Sequence, residues 1–394
     1  MSFAQRLPAA FFATVQDDVR SRLAAAGLTA GIFDDPDDIA YLTGFFHFPT
    51  ERPVAVWLDS SAASATLLVP ELEREYAEHQ RAAAEIVSYP EFPGVRPPFT
   101  VLAASVAAAN SGPVGYGDAT TTGRLAAMRS AFPAAAFART DAVQAARLVK
   151  RPEEIALHRE AARIADLMLE AGRACVELAV RERRELPTEA ELAALVSEAG
   201  TTVMYAEHDD VVVVPHMAGG LVYSGPNSAR PHARPSGRRV APGEPFMLSL
   251  GAGVGGRHVE CERTFFIGAP DEEQARFYST VLAAQRTGLA GLRAGRRCCD
   301  VNAECLDVIR GAGLAQYLRH RQGHGIGLNI HEPPWLEDGD DSVLAQAMIV
   351  SDEPGLYVPG LGGFRISDSV LVGERGGEPL TAYPKDLDDI VIAL

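Results

Sequence analysis

From Pro152 to its end, the chain runs twice through one order: a pair of helical segments, then a run of short strands. Nothing else in the sequence restricts the fold as much. Helix pairs followed by strand runs bury their apolar faces only by layering helices on a sheet. The repeated order hints at an internal duplication, with no clear repeat at the residue level. In the first helix, Pro152 suits the first turn, and Glu153 and Glu154 suit the positive end of the helix dipole. Leu157, Ala161, Ile164 and Met168 recur at helical spacing and mark one buried face. Thr188 and Glu191 form a capping-box pattern for a second helix, predicted to end near Gly200. Strands are predicted at 211–214 (VVVV), 221–223, 246–250 and 263–267. Helices follow at 271–290 and 300–311, then strands at 347–350, 365–372 and 389–393.

The first 148 residues alternate instead. Helical patterns sit near 13–26, 70–83, 101–109 and 120–130. Short apolar strands sit near 29–33, 53–58, 65–69, 86–88 and 114–117. Such alternation predicts an α/β layer domain. The Pro/Gly-rich stretch at 89–99 reads as a loop. We therefore expect an α/β (α+β) protein with a domain over 1–148 and a second over 149–394, a division the length also suggests.

Charge narrows the partners. The formal net charge is -16, from 36 basic and 52 acidic residues. A phosphate-tracking surface needs a basic excess, so neither nucleic acid nor an anionic membrane is expected as a partner. The five cysteines (Cys175, Cys261, Cys298, Cys299, Cys305) are odd in number and scattered, and none forms a CxxC pair. Neither a disulfide framework nor a structural zinc is expected. The N-terminal stretch lacks the long apolar run of a signal peptide, and no segment is apolar for the roughly 18 residues a membrane span requires. The expected compartment is the cytoplasm.

One motif misleads. GAGVGG at 251–256 matches the dinucleotide fingerprint GxGxxG. That fingerprint needs a helix to open there and hold the pyrophosphate, but RHVECERTFFIG follows and reads as a strand. We expect a hairpin turn. No GxxxxGK[ST] or GxSxG is present to support a phosphate loop or a serine nucleophile.

Four Gly/Pro-punctuated segments carry the candidate chemistry. They are SGPNSARPHARPSGRRVAPGE (224–244) with His232, LSLGAGVGGRHVECERTFFIG (248–268), GHGIGLNIHEPP (323–334) with His324 and His331, and SDEPGLYVPGLGGFRISDSVLVG (351–373) with Glu353, Arg365 and Asp368. A single histidine in an apolar setting is usually a satisfied core residue. Three of them beside acids, in segments whose glycines let the backbone approach a ligand, favour a site. Spacing alone does not bring the segments together.

In sequence, these segments resemble the pita-bread superfamily of prolidase, aminopeptidase P, methionine aminopeptidase and creatinase. GHGIGLxxHExP, then EPG, then GGxRxxDxxLV is a specific signature, and YLTGF (41–45) before PVAVWL is similar to the N-terminal domain of the creatinase–prolidase branch. The resemblance covers nearly the whole chain. It implies a creatinase-like α/β domain followed by a pita-bread domain of two pseudo-twofold helix–strand halves.

In metal-dependent members the pattern Asp, Asp eleven residues on, the His of GHGIG, the Glu of EPG and the Glu of R-x-E-D holds two divalent cations. By the resemblance these positions fall on Ser249, Glu260, His324, Glu353 and Ser367. Hard dications want anionic oxygens, and bridging carboxylates offset the repulsion between two of them; a serine hydroxyl is a poor substitute. No metal is therefore expected. The fallback is one divalent cation (Mn, Co or Zn) on Glu260, His324 and Glu353. Where metal-using relatives read D-x-T-R-T, this chain reads E-C-E-R-T, so Glu262 precedes Arg263. Creatinase, which uses no metal, is similar there.

The resemblance thus implies a metal-independent, creatinase-like hydrolase that cleaves a C–N bond of a small cationic or NH-rich substrate. His232 is expected as general acid–base, because an imidazole titrates near neutrality. Glu262 and Glu353 are expected to bind the cationic group, and His324 and His331 to hold an oxyanion or water. Arg365 is expected to hold a carboxylate or an acidic neighbour. The plainer reading of Glu262 is an ion pair with Arg263 or another arginine. No arginine after HEPP matches the one that holds creatine's carboxylate, and Trp335 stands there as a stacking wall or a structural aromatic. Phe45, His47 and Arg52 are candidates to border a neighbouring subunit's cleft in a homodimer, or a buried edge. Two alternatives stand beside this reading: an Xaa-Pro dipeptidase or aminopeptidase P-like peptidase with an altered single-metal site, and a pseudoenzyme that binds a peptide or partner without turnover.

Overall fold

The computed structural model describes residues 2–92, 94–106 and 112–394. They fall into two units, Arg6–Arg147, and Leu148–Leu394 joined by the N-terminal residues up to Gln5. The first residues go with the second unit for a local reason. Strand β1 (Phe3–Ala4) pairs in parallel with β8 (His208–Asp209). The Gln5 side chain donates to His208 Nδ1 at 2.8 Å and accepts from the Val212 amide at 2.8 Å.

The first unit follows the order α1 (Ala9–Ala25), β2 (Ala30–Phe33), α2 (Pro36–Thr43), β3 (Ala55–Asp59), β4 (Thr66–Pro70), α3 (Arg74–His79), β5 (Glu85–Tyr89), α4 (Pro98–Ser105), β6 (Pro113–Tyr116), α5 (Thr122–Ala131), β7 (Ala136–Arg139) and α6 (Ala142–Leu148). Its mixed sheet runs β5-β4-β3-β2-β6-β7. Every residue of the central β2 is buried, as helices on both faces require. Trp57 stacks on Phe132 with ring centroids 5.1 Å apart in the core. The sequence reading missed α2, although its start carries a cap signal. Pro36 opens the helix, and Asp35 Oδ1 accepts from the Asp37 amide at 3.0 Å. It also missed β7. The last part of the helix expected at 101–109, from 107 on, and position 93 of the predicted loop lie outside the described residues.

The second unit begins with α7 (Pro152–Arg181) and α8 (Glu189–Glu207), followed by β9 (Ala218–Ser224), β10 (Pro245–Val254) and β11 (Arg257–Ile267). Helices α9 (Glu272–Gly291) and α10 (Cys298–Gly311) lead into β12 (Gly323–Gly325), β13 (Glu332–Leu336), β14 (Ile349–Asp352), β15 (Gly355–Val358), β16 (Gly362–Arg365), β17 (Ser367–Val372), β18 (Gly377–Pro379) and β19 (Val391–Ile392). The main sheet runs β13-β12-β14-β17-β11-β10-β9, with β18 beside β17 and β19 beside β11; β15 and β16 form a separate hairpin. A helix pair precedes strands twice, in the order that the patterning predicts. Both residues of the predicted capping box are engaged. Thr188 Oγ1 accepts from the Glu191 amide at 3.1 Å, and Glu191 returns an acceptor to the Thr188 amide at 2.7 Å.

Two local expectations fail. Helix α8 passes through Gly200 and ends at Glu207. Gly200 is a close-packing point, not a terminator: a Cβ there would lie 2.6 Å from Met168 Sδ and 2.9 Å from Ala218 Cβ. The VVVV run at 211–214 is not a strand. It lies between Asp210 and His216, both at positive φ, and its Val212 amide is spent on the Gln5 side chain rather than on a ladder. GAGVGG is the expected hairpin turn. Val254 pairs with Arg257 around Gly255 and Gly256, whose φ values of 56° and 75° suit a two-residue mirror-image turn.

Among the described residues no helix is long and apolar enough to cross a membrane, and all five cysteines are free.

Candidate active site

Side chains two apart on a strand share a face, as do residues directly opposite across a ladder. Glu260 and Glu262 therefore look out from the same face of β11. Ser249 on β10 stands opposite Glu262 on one side, and Ser367 on β17 stands opposite it on the other. Glu353 follows the end of β14, which pairs with β17, and His324 lies on β12, which pairs with β14. The sheet register alone thus gathers the five family positions on one face.

His324 is at the centre. Its Nδ1 lies 3.1 Å from the Gly325 carbonyl, which can only accept, so Nδ1 carries a proton. Its backbone amide donates to Ser351 Oγ at 3.0 Å. Nε2 lies 3.1 Å from Glu353 Oε1 and 3.7 Å from Glu260 Oε2, yet it is buried and makes no hydrogen bond. A buried imidazole nitrogen between two carboxylates, with its other nitrogen pinned to a carbonyl, has the arrangement of a metal ligand. Glu260, His324 and His331 each offer a ligand atom, all within 4.8 Å of one another. Burial alone would lower the His324 pKa, but the charges of Glu260 and Glu353 hold it up, at about 9. Burial and the Glu353 charge push Glu260 up to about 8. Burial opposes ionisation of Glu353 as well, but the adjacent His324 and its charge hold its carboxyl below the usual range. A dication bound among these groups would displace a proton from them.

The side of the site bounded by Ser249 and Ser367 is built differently. Ser367 Oγ donates to Glu260 Oε1 at 2.9 Å, and Ser249 Oγ donates to Glu262 Oε1. Arg365 Nη2 lies 2.5 Å from Glu262 Oε1, 3.0 Å from Ser249 Oγ and 3.0 Å from Tyr223 Oη, and Arg365 Nε also meets Glu262. Glu262 therefore faces Arg365 instead of offering a free carboxylate to a cationic substrate group. Nor does it pair with Arg263, whose Nη2 holds Asp368 at 2.7 Å on the far face of the strand.

The remaining candidates are placed as follows. His331 is exposed, with its ring centroid 4.0 Å from that of His324; burial of its ring and the neighbouring His324 charge lower its pKa to about 4. His232 is exposed on the 225–244 loop, close enough for its charge to depress both His320 and His331. Trp335 pairs with His324 in the ladder and carries the Arg321 guanidinium 4.4 Å over its ring. Phe45 is fully buried within the first unit and stacks on His47. His47 and Arg52 line a cavity of about 150 Å³ there, with Asp34 and Arg124.

Sequence reasoning passed over several neighbours. His320 donates from Nδ1 to the Arg321 carbonyl at 2.7 Å and accepts at Nε2 from Tyr357 Oη at 2.8 Å. Glu189 is fully buried at the first turn of α8. It accepts from the Ser224 amide and hydroxyl, from Asn227 Nδ2, and from the Ser236 amide and hydroxyl, at 2.6–3.0 Å. It thereby ties the start of the loop that carries His232, at Ser224 and Asn227, to Ser236 beyond that histidine. The only sequence signal for Glu189 was its place beside the Thr188 cap.

Comparison with known proteins bears on this geometry. The model of metallopeptidase family M24 matches residues 156–374, and that of the creatinase/prolidase N-terminal domain matches residues 16–149. The chain is similar to the “Probable dipeptidase PepE” of Mycobacterium tuberculosis, with 34% identity over 98% of this chain and 96% of that one. It is 30% identical to the Xaa-Pro dipeptidase of Lactobacillus helveticus over 91% and 94% of the two chains. Among solved structures, the dipeptidase PepE from Mycobacterium ulcerans superposes with a TM-score of 0.83 at 28% identity, covering 99% of this chain and all of that one.

These matches overturn the expectation of a metal-independent, creatinase-like hydrolase with no cofactor. The two relatives are named a probable dipeptidase and an Xaa-Pro dipeptidase, and the matching family is one of metallopeptidases. The physical reason lies in where the carboxylates are lost. Both serines lie beside Glu262, whereas Glu260, His324 and Glu353 keep a donor set that fits one divalent ion. The same donors do not fit two, because Ser249 and Ser367 bring only hydroxyls, both already donating to glutamates.

Proposed function

Because the chain belongs to metallopeptidase family M24, in the creatinase–prolidase branch of the pita-bread superfamily, we propose that it is an Xaa-Pro dipeptidase or aminopeptidase P-like peptidase working with one divalent cation. The observation that carries this reading is the buried, unbonded Nε2 of His324 between Glu260 and Glu353. When bound there, the cation supplies a Lewis acid for the scissile carbonyl and lowers the pKa of a water.

The chain's own residues do the rest. Glu260, His324 and Glu353 would hold the ion, and Ser351 fixes the backbone of His324. His331, neutral at pH 7, offers a hydrogen bond to the substrate beside the ion. His232, solvent-facing on its loop, passes a proton to the leaving nitrogen, a task an imidazole suits because its ring can both accept and donate a proton. Trp335 and Arg321 form one wall, apolar with a cationic edge. The proposed substrate is a dipeptide or short peptide, and the proposed setting a cytoplasmic homodimer. Five free cysteines suit a reducing compartment.

Chelation followed by titration with manganese, cobalt or zinc tests this, with an Xaa-Pro dipeptide as substrate. Activity is expected to vanish and return, and His324→Ala to block the return. Turnover that survives complete chelation, or loaded protein that leaves every Xaa-Pro dipeptide intact, refutes the reading.

A further inference from the structure

The two carboxylates that this chain lacks are missing from one side of the site. Ser249 and Ser367 are the cross-strand neighbours of a single residue, Glu262, on β10 and β17 respectively. Glu262 is itself the departure from the metal-using pattern, standing where D-x-T-R-T carries threonine. A carboxylate has in effect moved one strand over, from 249 to the position directly opposite. Its charge now belongs to Arg365. Both glutamate oxygens meet the guanidinium, which also bonds Ser249 Oγ at 3.0 Å and Tyr223 Oη at 3.0 Å. Glu262 and Arg365 are both buried, at 4% exposure each.

We propose that the Glu262–Arg365 ion pair stands in place of the second cation of the two-metal relatives, so that the site is closed by a fixed guanidinium on one side and by a single divalent ion on the other. The proposal rests on the single-metal reading above. Charge favours it. Glu260, Glu262 and Glu353 bring three negative charges, which one guanidinium and one dication balance. A second dication would leave a buried excess of positive charge, which a low-dielectric interior penalises. Geometry favours it too. Arg365 Nη1 lies 3.9 Å from Glu353 Oε2, so the guanidinium reaches from the serine side to a carboxylate of the retained ion site. An arginine belongs to the family pattern at this position; the residue particular to this chain is the glutamate that clamps it.

The test is metal stoichiometry on the full-length protein. Wild type and the triple variant Ser249→Asp/Glu262→Thr/Ser367→Glu are dialysed against excess Mn²⁺ and counted by elemental analysis, and the bound ions are examined by electron paramagnetic resonance. Two ions held about 3.5–4 Å apart, as in two-metal sites, give a spin-coupled signal, and a lone ion does not. Wild type is expected to hold about one ion, uncoupled, and the variant about two, coupled. A coupled pair in wild type overturns the proposal while leaving a metallopeptidase standing. No ion in wild type but a coupled pair in the variant overturns the single-metal reading while the ion-pair assignment stands. A folded variant that binds no more than wild type overturns the assignment. Should the triple variant not fold, Glu262→Thr alone decides. Its unbalanced guanidinium beside Glu353 is expected to weaken Mn²⁺ binding at the retained site about tenfold, and unchanged affinity refutes the proposal.

Discussion

Arg263→Met should loosen the sheet directly behind the site. Arg263 is fully buried and pairs with fully buried Asp368 at 2.7 Å. Its Nη1 donates to the carbonyls of Glu262 and Ser367 at 2.8 Å each, and Nη2 and Nε donate to the Tyr383 carbonyl at 2.6 and 3.2 Å. Removing one member of a buried pair costs about 3–5 kcal/mol, because the other charge stays buried. Asp368 keeps Lys385 Nζ at 2.5 Å, Thr381 at 2.8 Å and Gln285 at 2.9 Å, which places the loss at the lower end, about 3 kcal/mol. For a unit of this size that is a drop of about 6–12 °C in the calorimetric Tm. Arg263→Lys keeps the charge without the planar fork and should lose about half as much. The acid limb adds a second readout. Burial opposes ionisation of Asp368, but Arg263 and Lys385 hold its pKa below the ordinary value. It therefore contributes stability above the unfolded carboxylate pKa, and this is lost as pH falls through the folded one. With Arg263 gone the folded pKa is less depressed, so the loss of stability below the unfolded carboxylate pKa should be smaller and should end at a higher pH. A Tm within about 2 °C of wild type, with an unchanged acid limb, would show that the pair is not what holds these strands.

Two further substitutions probe the scaffold. Glu189→Gln replaces an acceptor of five hydrogen bonds with a side chain that brings its own N–H donors, leaving loop donors unmatched at a cost of about 1–3 kcal/mol; limited proteolysis should find the 225–244 loop more open, and kcat on a dipeptide should fall while metal content stays constant. Gly200→Val should destabilise by about 2 kcal/mol through overpacking against Met168 and Ala218, read by denaturant melts; a neutral result would mean that α8 shifts away from β9 without cost.

The sequence went far where the physics is local. The capping box at Thr188 and Glu191, the apolar face of α7 and the two-glycine turn at Gly255–Gly256 depend on residues a few positions apart, and the pattern there was enough. It failed at Gly200 and at 211–214, where the deciding partners, Met168, Ala218 and Gln5, come from elsewhere in the chain.

The same division runs through the site. The sequence singled out the histidines and Glu353, and its resemblance to the pita-bread superfamily pointed to Glu260 and located the two serines. Spacing within motifs carries no information about which residues face one another across a ladder. Only the tertiary structure set Ser249, Glu262 and Ser367 side by side and gave Glu262 to Arg365 rather than to its neighbour Arg263. Register decided that, because strand alternation turns residues 262 and 263 to opposite faces of one strand. It therefore also decided the chemistry, gathering the lost charges on one side and leaving a one-ion donor set on the other.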